Sequence, residues 1–231
     1  MSVKQKLEDA LAARAGLSHD LDARLRANIE TLPPWQWRAD DVFVHFNEDG
    51  QNPPLFWCFN SWVEAIALAR VLGPDQPVVA MHSLEKVIDA FEGKETYFHS
   101  IIDIYRDGIL ERIGDKGFVL GGNCQGAGVM EIVAQDIMVR TLSAQPLVVL
   151  EYTPRFAFPG HIDIVFGAQS ELYNPFLQGK DPLPIWNLQF ASHAHHEIPG
   201  AHGQFFRAPG IDSLAKVIIG AIGKVGQGGG Q

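Results

Sequence analysis

Residues 117–133 of the chain read GFVLGGNCQGAGVMEIV. A short apolar run at 118–120 ends in two glycines, and apolar residues resume at helical spacing from Ala127 onward. The pattern predicts a strand that turns sharply into a helix. The turn is Gly122-Asn123-Cys124-Gln125-Gly126, which matches the G-x-S-x-G nucleophile elbow with Cys124 in place of serine.

The two glycines of this motif have a mechanical explanation. A strand that turns at once into a helix forces its apex residue into strained backbone angles, and side chains two positions away on either side would collide. The turn is expected to place the Cys124 sulfur near the positive N-terminus of the next helix, which favours a thiolate. The backbone N–H of Gln125 then becomes an oxyanion donor. The motif alone is equally compatible with a glycine-rich turn that holds an inert, buried cysteine.

Composition limits the classes of protein to consider. A chain of 231 residues with 46% apolar content can bury one core as a single domain. A net charge of −9 argues against nucleic acid or an anionic membrane surface as a partner. Two cysteines are too few for a disulfide framework, and neither a membrane-spanning run nor a signal sequence is visible. We therefore expect a soluble, cytoplasmic protein.

The chain divides into three predicted parts. Residues 1–38 form an N-terminal helical segment. Two amphipathic helices are predicted within residues 1–32, with the second beginning at Ser18 after Gly16 and ending at Pro33-Pro34. This segment is predicted to pack as a cap, although a docking appendage or a linker remnant would fit the same pattern. Residues 39–225 form the main domain. The glycine-rich tail, 226–231, is predicted to be disordered.

Strands and helices alternate through the main domain. Strands are predicted at 42–46, 55–59, 78–81, 147–150 and 162–167 in addition to the elbow strand, and the first two are expected to pair through a short turn. Helices are predicted at 63–72, 97–113 and 211–225 in addition to the elbow helix. This order predicts an α/β fold with a mostly parallel sheet, helices on both faces, and reactive groups at the carboxyl ends of the strands.

Candidate partners for Cys124 follow from that rule. His202 lies just beyond a short strand and before the last helix, where a general base is expected. Glu151 and Glu171 each follow a strand and could orient the histidine. Glu151 is preferred because the apolar strand 147–150 leads directly into it, and Asp163, in the middle of a strand, is the third choice.

Several segments resemble the thioesterase domains of nonribosomal-peptide and polyketide synthases, within the α/β-hydrolase superfamily. The resemblance extends from about Asp41 to Val225, and its most specific motifs are the elbow at 121–128 and the Ile198-Pro-Gly-Ala-His202 ending. Segments 54–59 and 69–78 are similar to the opening strands of the family, and Leu150-Glu151-Tyr152 stands where relatives often have an aspartate.

The resemblance implies a Cys124-His202-Glu151 triad, with Glu171 as the alternative acid. Oxyanion donors would be Gln125 and either Asn60 or Ser61, because the usual oxyanion loop is replaced by Phe59-Asn60-Ser61-Trp62. Phe59 and Trp62 would line the substrate channel. The few residues between Tyr152 and Ile162 imply a short or absent lid.

The implied activity is that of a thioesterase or acyltransferase. Its substrate would be an acyl or peptidyl chain on the phosphopantetheine of a carrier protein, and no metal or organic cofactor is expected. Cysteine can exchange thioesters at little energetic cost, so an acyl-Cys124 intermediate would stay activated for hydrolysis, cyclisation or transfer.

Other functions fit parts of the sequence. The elbow also resembles those of polyhydroxyalkanoate synthases and dienelactone hydrolases, which the short chain and the Pro-Gly-Ala-His ending disfavour. A catalytically inactive hydrolase fold that serves as a binding module is supported by the altered oxyanion loop and opposed by the intact Cys, acid and His set. The cluster His193, His195 and His196 is not predicted to bind a metal, because no ligand beyond Glu197 lies at suitable spacing.

Overall fold

A computed structural model describes residues 3–84, 94–114 and 117–225 of the chain. The helices are α1 (Val3–Ile29), α2 (Trp62–Leu72), α3 (Lys94–Arg112), α4 (Gln125–Thr141), α5 (Leu183–Gln189) and α6 (Gly210–Ile222). The strands are β1 (Arg38–Asp40), β2 (Phe43–Phe46), β3 (Leu55–Phe59), β4 (Val78–His82), β5 (Val119–Asn123), β6 (Leu147–Leu150), β7 (Phe158–Gly167) and β8 (Phe190–Ile198). The tail that was predicted to be disordered, 226–231, lies outside the described residues.

The strands form one eight-stranded sheet in the order β1-β2-β4-β3-β5-β6-β7-β8. Strands β3 to β8 run parallel to one another, whereas β2 is antiparallel to both of its neighbours, β1 and β4. The predicted α/β class with a mostly parallel sheet is confirmed. Among the described residues, no helix combines the length and apolarity that a membrane span requires.

The side chains of β3 point alternately into two hydrophobic cores, one on each face of the sheet. Leu55, Trp57 and Phe59 pack on the side covered by α2 and α6, and Phe56 and Cys58 pack on the side covered by α3 and α4. All five side chains are buried, as expected for a central parallel strand with helices on both faces. Because helices cover both faces of the sheet, a functional site is expected at the ends of the strands.

Two sequence predictions are corrected by this architecture. The N-terminal segment is one continuous helix, α1, rather than two, because an internal glycine such as Gly16 costs only about 1 kcal/mol and does not by itself stop a helix. Its C-terminal part packs Leu21 and Leu25 into the core. Strand β2 does not pair with β3: it pairs with β1 and β4, since the fully apolar β3 is buried between β4 and β5.

A polar cluster around Asp163 links the sheet to Lys224, which lies just after α6. Asp163 of β7 is 2% exposed, and its oxygens lie 2.8 Å from His196 Nε2, 3.2 Å from His161 Nε2 and 3.1 Å from Lys224 Nζ. Burial alone would raise the pKa of Asp163, but hydrogen bonds to His161, His196 and Lys224 hold it well below its usual range. Asp163 thus has structural partners and does not contact His202.

We expect Asp163→Asn to destabilise the fold by roughly 3 kcal/mol at pH 7, because a buried carboxylate that pairs with Lys224 and contacts the rings of His161 and His196 is lost. A carboxylate with a depressed pKa stabilises the native state above its unfolded pKa of about 4, and this contribution fades as pH falls toward the folded value. Urea unfolding at pH 7 and at low pH should therefore show a difference between wild type and variant that shrinks with acid. Asp49→Asn, at an exposed turn, is the matched control and should change stability little.

Candidate active site

The elbow projects Cys124 from the sharp turn between β5 and α4. Cys124 has φ 49° and ψ −117°, a strained conformation for a residue other than glycine. A Cβ on Gly122 would lie 2.6 Å from the carbonyl of Gly126, and one on Gly126 would lie 2.2 Å from the Cys58 carbonyl oxygen. Both contacts are too short for real atoms, so glycine is required on each side of the apex.

His202 follows β8 and is held from two directions. Its Nδ1 lies 3.2 Å from Glu151 Oε2, so an Nδ1–H would donate to that carboxylate. Its ring stacks on Tyr173, with centroids 4.1 Å apart. Two such restraints fix the plane of the imidazole and leave Nε2 for the cavity that it shares with Cys124.

Glu151 is the first residue after β6, and its backbone has φ 54°. Its side chain is completely buried and accepts hydrogen bonds from the Gly167 N–H at 2.8 Å and the Ser170 hydroxyl at 2.5 Å. These donors stabilise a buried carboxylate and orient it toward His202. Glu171, the alternative acid, is exposed and makes no contact with His202 in the described part of the chain.

Cys124, His202 and Glu151 therefore come together at the carboxyl ends of three parallel strands. Cys124 and His202 line a cavity of about 220 Å³, which we call the catalytic cavity. Its other walls include Asn60, Glu64, Asn123, Gln125, Phe205 and Phe206. Among the described residues, no hydrogen bond joins Cys124 to His202, although both side chains line this cavity.

The environment of Cys124 favours the neutral thiol. Burial raises the pKa of Cys124 to about 12, with the negative charges of Glu151 and Glu64 adding to the increase, while a hydrogen bond to the Asn60 side chain opposes it. The helix N-terminus was expected to favour a thiolate, whereas burial and the two carboxylates act in the opposite direction on the pKa of Cys124.

This pKa predicts how Cys124 reacts with iodoacetamide. Between pH 7 and 10 its alkylation rate should rise about tenfold per pH unit, because the thiolate is a small, growing fraction far below the pKa. Peptide mapping distinguishes alkylation of Cys124 from alkylation of Cys58. Cys58 is fully buried, and burial also raises its pKa. A rate plateau near neutral pH would instead indicate a Cys–His ion pair and contradict the prediction.

The oxyanion candidates lie at the ends of β3 and β5. Gln125 is the first residue of α4, so its N–H has no partner within the helix. The Asn60 backbone N–H donates to Glu64 Oε2 at 3.2 Å, and the Asn60 side-chain Nδ2 donates to the Asn123 carbonyl at 3.3 Å. Ser61 is the N-cap residue of α2. The Asn60 side chain also hydrogen-bonds to Cys124, whereas its backbone N–H is donated to Glu64.

The two residues predicted to line a substrate channel, Phe59 and Trp62, are not among the walls of the catalytic cavity. Phe59 is fully buried on the α2 and α6 side of the sheet, and Trp62 is 5% exposed with its Nε1–H donated to the Asn28 carbonyl. Neither lines the cavities that the described residues form near Cys124. Both side chains pack in the core between the sheet and α2 and α6, and their role in a substrate channel stays a prediction.

A second, mostly apolar cavity of about 310 Å³, which we call the apolar cavity, lies on the other side of Gln125. Its walls come from the residues after β4, from α3 and α4, and from the segment after β6; they include Leu84, Tyr97, Phe98, Ile101, Val129, Ile132, Tyr152 and Phe156. The buried carboxylate of Glu131 fixes one wall, because it accepts the Tyr152 hydroxyl at 2.7 Å and the N–H groups of Arg155 and Phe156 at 2.8 and 2.9 Å. No helix separates β6 from β7, consistent with the short lid that was expected.

The three clustered histidines of β8 have separate environments. His193 lies 2.9 Å from the Asn187 side-chain oxygen, His195 stacks on Phe176, and His196 contacts Asp163. The described residues contain no group of three His, Cys, Asp or Glu side chains that could hold a metal ion. The histidines are thus distributed over both faces of the strand.

Sequence reasoning missed three residues of the site. Glu64 was recognisable only as the last residue of Ser61-x-x-Glu64, a capping-box pattern that signals the start of a helix. Asn123 lies inside the elbow motif, where any residue is allowed, and donates from its Nδ2 to Glu64 Oε2 at 3.3 Å. Tyr173 lies in an irregular loop, and no sequence pattern singled it out.

Comparison with solved structures identifies the fold. The NocB thioesterase domain from the nocardicin cluster matches 78% of this chain and 98% of its own, with a TM-score of 0.59 and 13% identity. The Vlm2 thioesterase domain with a bound dodecadepsipeptide matches 74% and 93%, with a TM-score of 0.56 and 14% identity. The surfactin thioesterase domain SrfTE matches 77% and 94%, with a TM-score of 0.55 and 11% identity.

At these identities the likeness concerns the fold: the chain has the α/β-hydrolase fold of these thioesterase domains. No protein-family model matches the sequence, and no curated protein sequence matches it.

Proposed function

We propose that the protein is a cysteine-dependent thioesterase or acyltransferase that acts on an acyl or peptidyl thioester held by a carrier protein. The main support is the meeting of Cys124, His202 and Glu151 at one cavity of a fold shared with thioesterase domains. The adjoining apolar cavity offers a place for the acyl chain beside the nucleophile.

The first half-reaction forms an acyl-enzyme. His202 Nε2 takes the Cys124 proton as Sγ attacks the thioester carbonyl, which avoids a free thiolate in a site that disfavours one. The Gln125 N–H, with the Asn60 side chain or the Ser61 N–H, stabilises the oxyanion. The carbon–sulfur bond to pantetheine then breaks, and the leaving sulfur receives the proton from His202.

The second half-reaction releases the acyl group. His202 deprotonates the acceptor as it attacks the acyl-Cys124 carbonyl, and the proton returns to Sγ when the intermediate collapses. Glu151 keeps the Nδ1–H tautomer and stabilises the imidazolium in both halves. No metal or organic cofactor has a role in this scheme.

The direct test is intact-mass analysis after incubation with an acyl-pantetheine thioester. We expect a mass increase of one acyl group, mapped by peptide analysis to Cys124. The competing function is an inactive hydrolase fold that serves as a binding module, and it is favoured by the engagement of the Asn60 N–H with Glu64. Thioester binding without any acyl adduct would support that alternative and reject ours.

A further inference from the structure

The apolar cavity has one charged side chain in its wall, that of Arg155. The other walls that the described residues give this cavity are aliphatic, aromatic or uncharged polar side chains, and none of them is acidic. The guanidinium of Arg155 has no carboxylate partner in the described part of the chain. It lies instead over the Tyr152 ring, 5.9 Å from the ring centroid. The cavity therefore presents a positive charge that its own walls do not neutralise.

The position of Arg155 is fixed from inside the fold. Glu131, which is 1% exposed, accepts the Arg155 backbone N–H at 2.8 Å and the Tyr152 hydroxyl at 2.7 Å. The same buried carboxylate thus holds the backbone that carries the guanidinium and the ring on which the guanidinium rests. An arginine that served only as a solvated surface charge would need neither restraint.

The charge lies away from the nucleophile. Gln125, Gly128, Val129 and Ile132 of α4 line the cavity as one stripe of the helix, which begins directly after Cys124. The seven residues from Gln125 to Ile132 advance about 10 Å along the helix axis. Because the Arg155 backbone is bonded to position 131, the guanidinium belongs to the far end of this stripe.

This order of groups describes a ligand with a long apolar part and an anionic end. Aliphatic and aromatic walls favour methylene groups, and a guanidinium binds a carboxylate with two parallel hydrogen bonds. The pantetheine arm fits these walls less well, because its amide groups would lose their hydrogen bonds to water without gaining partners. An acyl chain that extends from Cys124 meets the apolar stripe first and Arg155 last.

We propose that the acyl group carried by Cys124 is the half-thioester of a dicarboxylic acid, and that Arg155 binds the free carboxylate at the far end of its chain. This inference rests on the proposed function, of which it names the substrate class. Arg155 does not contact the reacting carbonyl in this assignment and acts as a specificity-determining residue. Its side chain is exposed, so the ion pair stays partly solvated and its effect is modest.

The test compares suberoyl and octanoyl thioesters of N-acetylcysteamine, which have chains of equal length that end in a carboxylate and a methyl group. The quantity measured is the ratio of their kcat/KM values for acylation of Cys124. Arg155→Gln should lower this suberoyl-to-octanoyl ratio about fivefold, mainly through KM for the suberoyl substrate. Arg155→Glu should lower the ratio further, and Arg155→Lys should retain part of it. Added salt should move the wild-type ratio toward that of Arg155→Gln.

A ratio taken within each variant is insensitive to partial misfolding, since loss of active enzyme lowers both rates equally. Arg70→Gln is the matched control. Arg70 is also an exposed arginine over an aromatic ring, 5.0 Å from the Trp35 centroid, but it does not line the cavity. The ratio in this control should equal that of wild type.

Three outcomes would overturn the inference. If Cys124 is acylated but wild type and Arg155→Gln have the same ratio, carboxylate recognition is wrong while the proposed function stands. If that ratio is unchanged but Arg155→Gln slows acylation by octanoyl-phosphopantetheine, the arginine binds the phosphate of the arm instead. If neither thioester acylates Cys124 in wild type, the proposed function and this inference are both wrong.

Discussion

Replacing Cys124 with alanine is expected to abolish the acyl adduct and to reduce turnover of an acyl thioester by several orders of magnitude. The side chain is the nucleophile of the proposed mechanism, and no other thiol can replace it because Cys58 is fully buried. Removing a nucleophile that forms a covalent intermediate costs roughly 10⁶-fold in kcat in well-studied enzymes. Intact-mass analysis and thioester cleavage assays measure the two effects separately.

The fold should survive this change. Cys124 is only partly buried, and alanine removes one sulfur atom from the edge of a cavity. A serine variant provides the matched control, because it keeps a nucleophilic atom at the same position. It should form an oxoester, which is a poorer acyl donor to amines than a thioester, so products should shift toward hydrolysis. Unchanged turnover in the alanine variant would end the nucleophile assignment.

Glu151→Gln is expected to slow acylation of Cys124 by about 10²–10⁴-fold with little change in substrate binding. The buried carboxylate selects the Nδ1–H tautomer of His202 and stabilises its positive charge, and a neutral amide does neither. Glutamine keeps an oxygen that can accept from the Gly167 N–H, so the loop should stay in place. Single-turnover acylation at fixed pH measures the effect.

Glu171→Gln is the comparison for this variant, and it should acylate at close to the wild-type rate. Both residues follow strands of the sheet, yet only Glu151 lies beside His202. A large loss in the Glu171 variant with normal acylation in the Glu151 variant would move the acid to the later strand. It would leave the roles of Cys124 and His202 unaffected.

Most of the sheet could be predicted because its strands are buried on both faces. Runs such as Leu147–Leu150 are continuously apolar, a pattern that a parallel strand under helices requires. Strand order was harder to predict, because it depends on contacts between residues far apart in sequence. The chain passes directly from β2 to β3, but β4 separates them in the sheet. The single helix α1 was missed because Gly16 was read as a stop.

The site was predictable where backbone geometry restricts the residue type. Gly122 and Gly126 mark the elbow because any larger residue would overlap the neighbouring backbone. His202 was found from its place after a strand. Tyr173 could not be found, because stacking on His202 depends on the path of an irregular loop. Glu64 was hidden because its pattern is common to ordinary helix starts.

The hydrogen bonds of Glu131 connect the elbow helix to one wall of the apolar cavity. Glu131 lies on α4, the helix that begins at the nucleophile, and it anchors Tyr152, Arg155 and Phe156. Three hydrogen bonds to a buried carboxylate thus tie this wall of the apolar cavity to the helix that begins at the nucleophile. In the proposed reaction, this connection would fix the spacing between Cys124 and the wall that contacts the acyl chain.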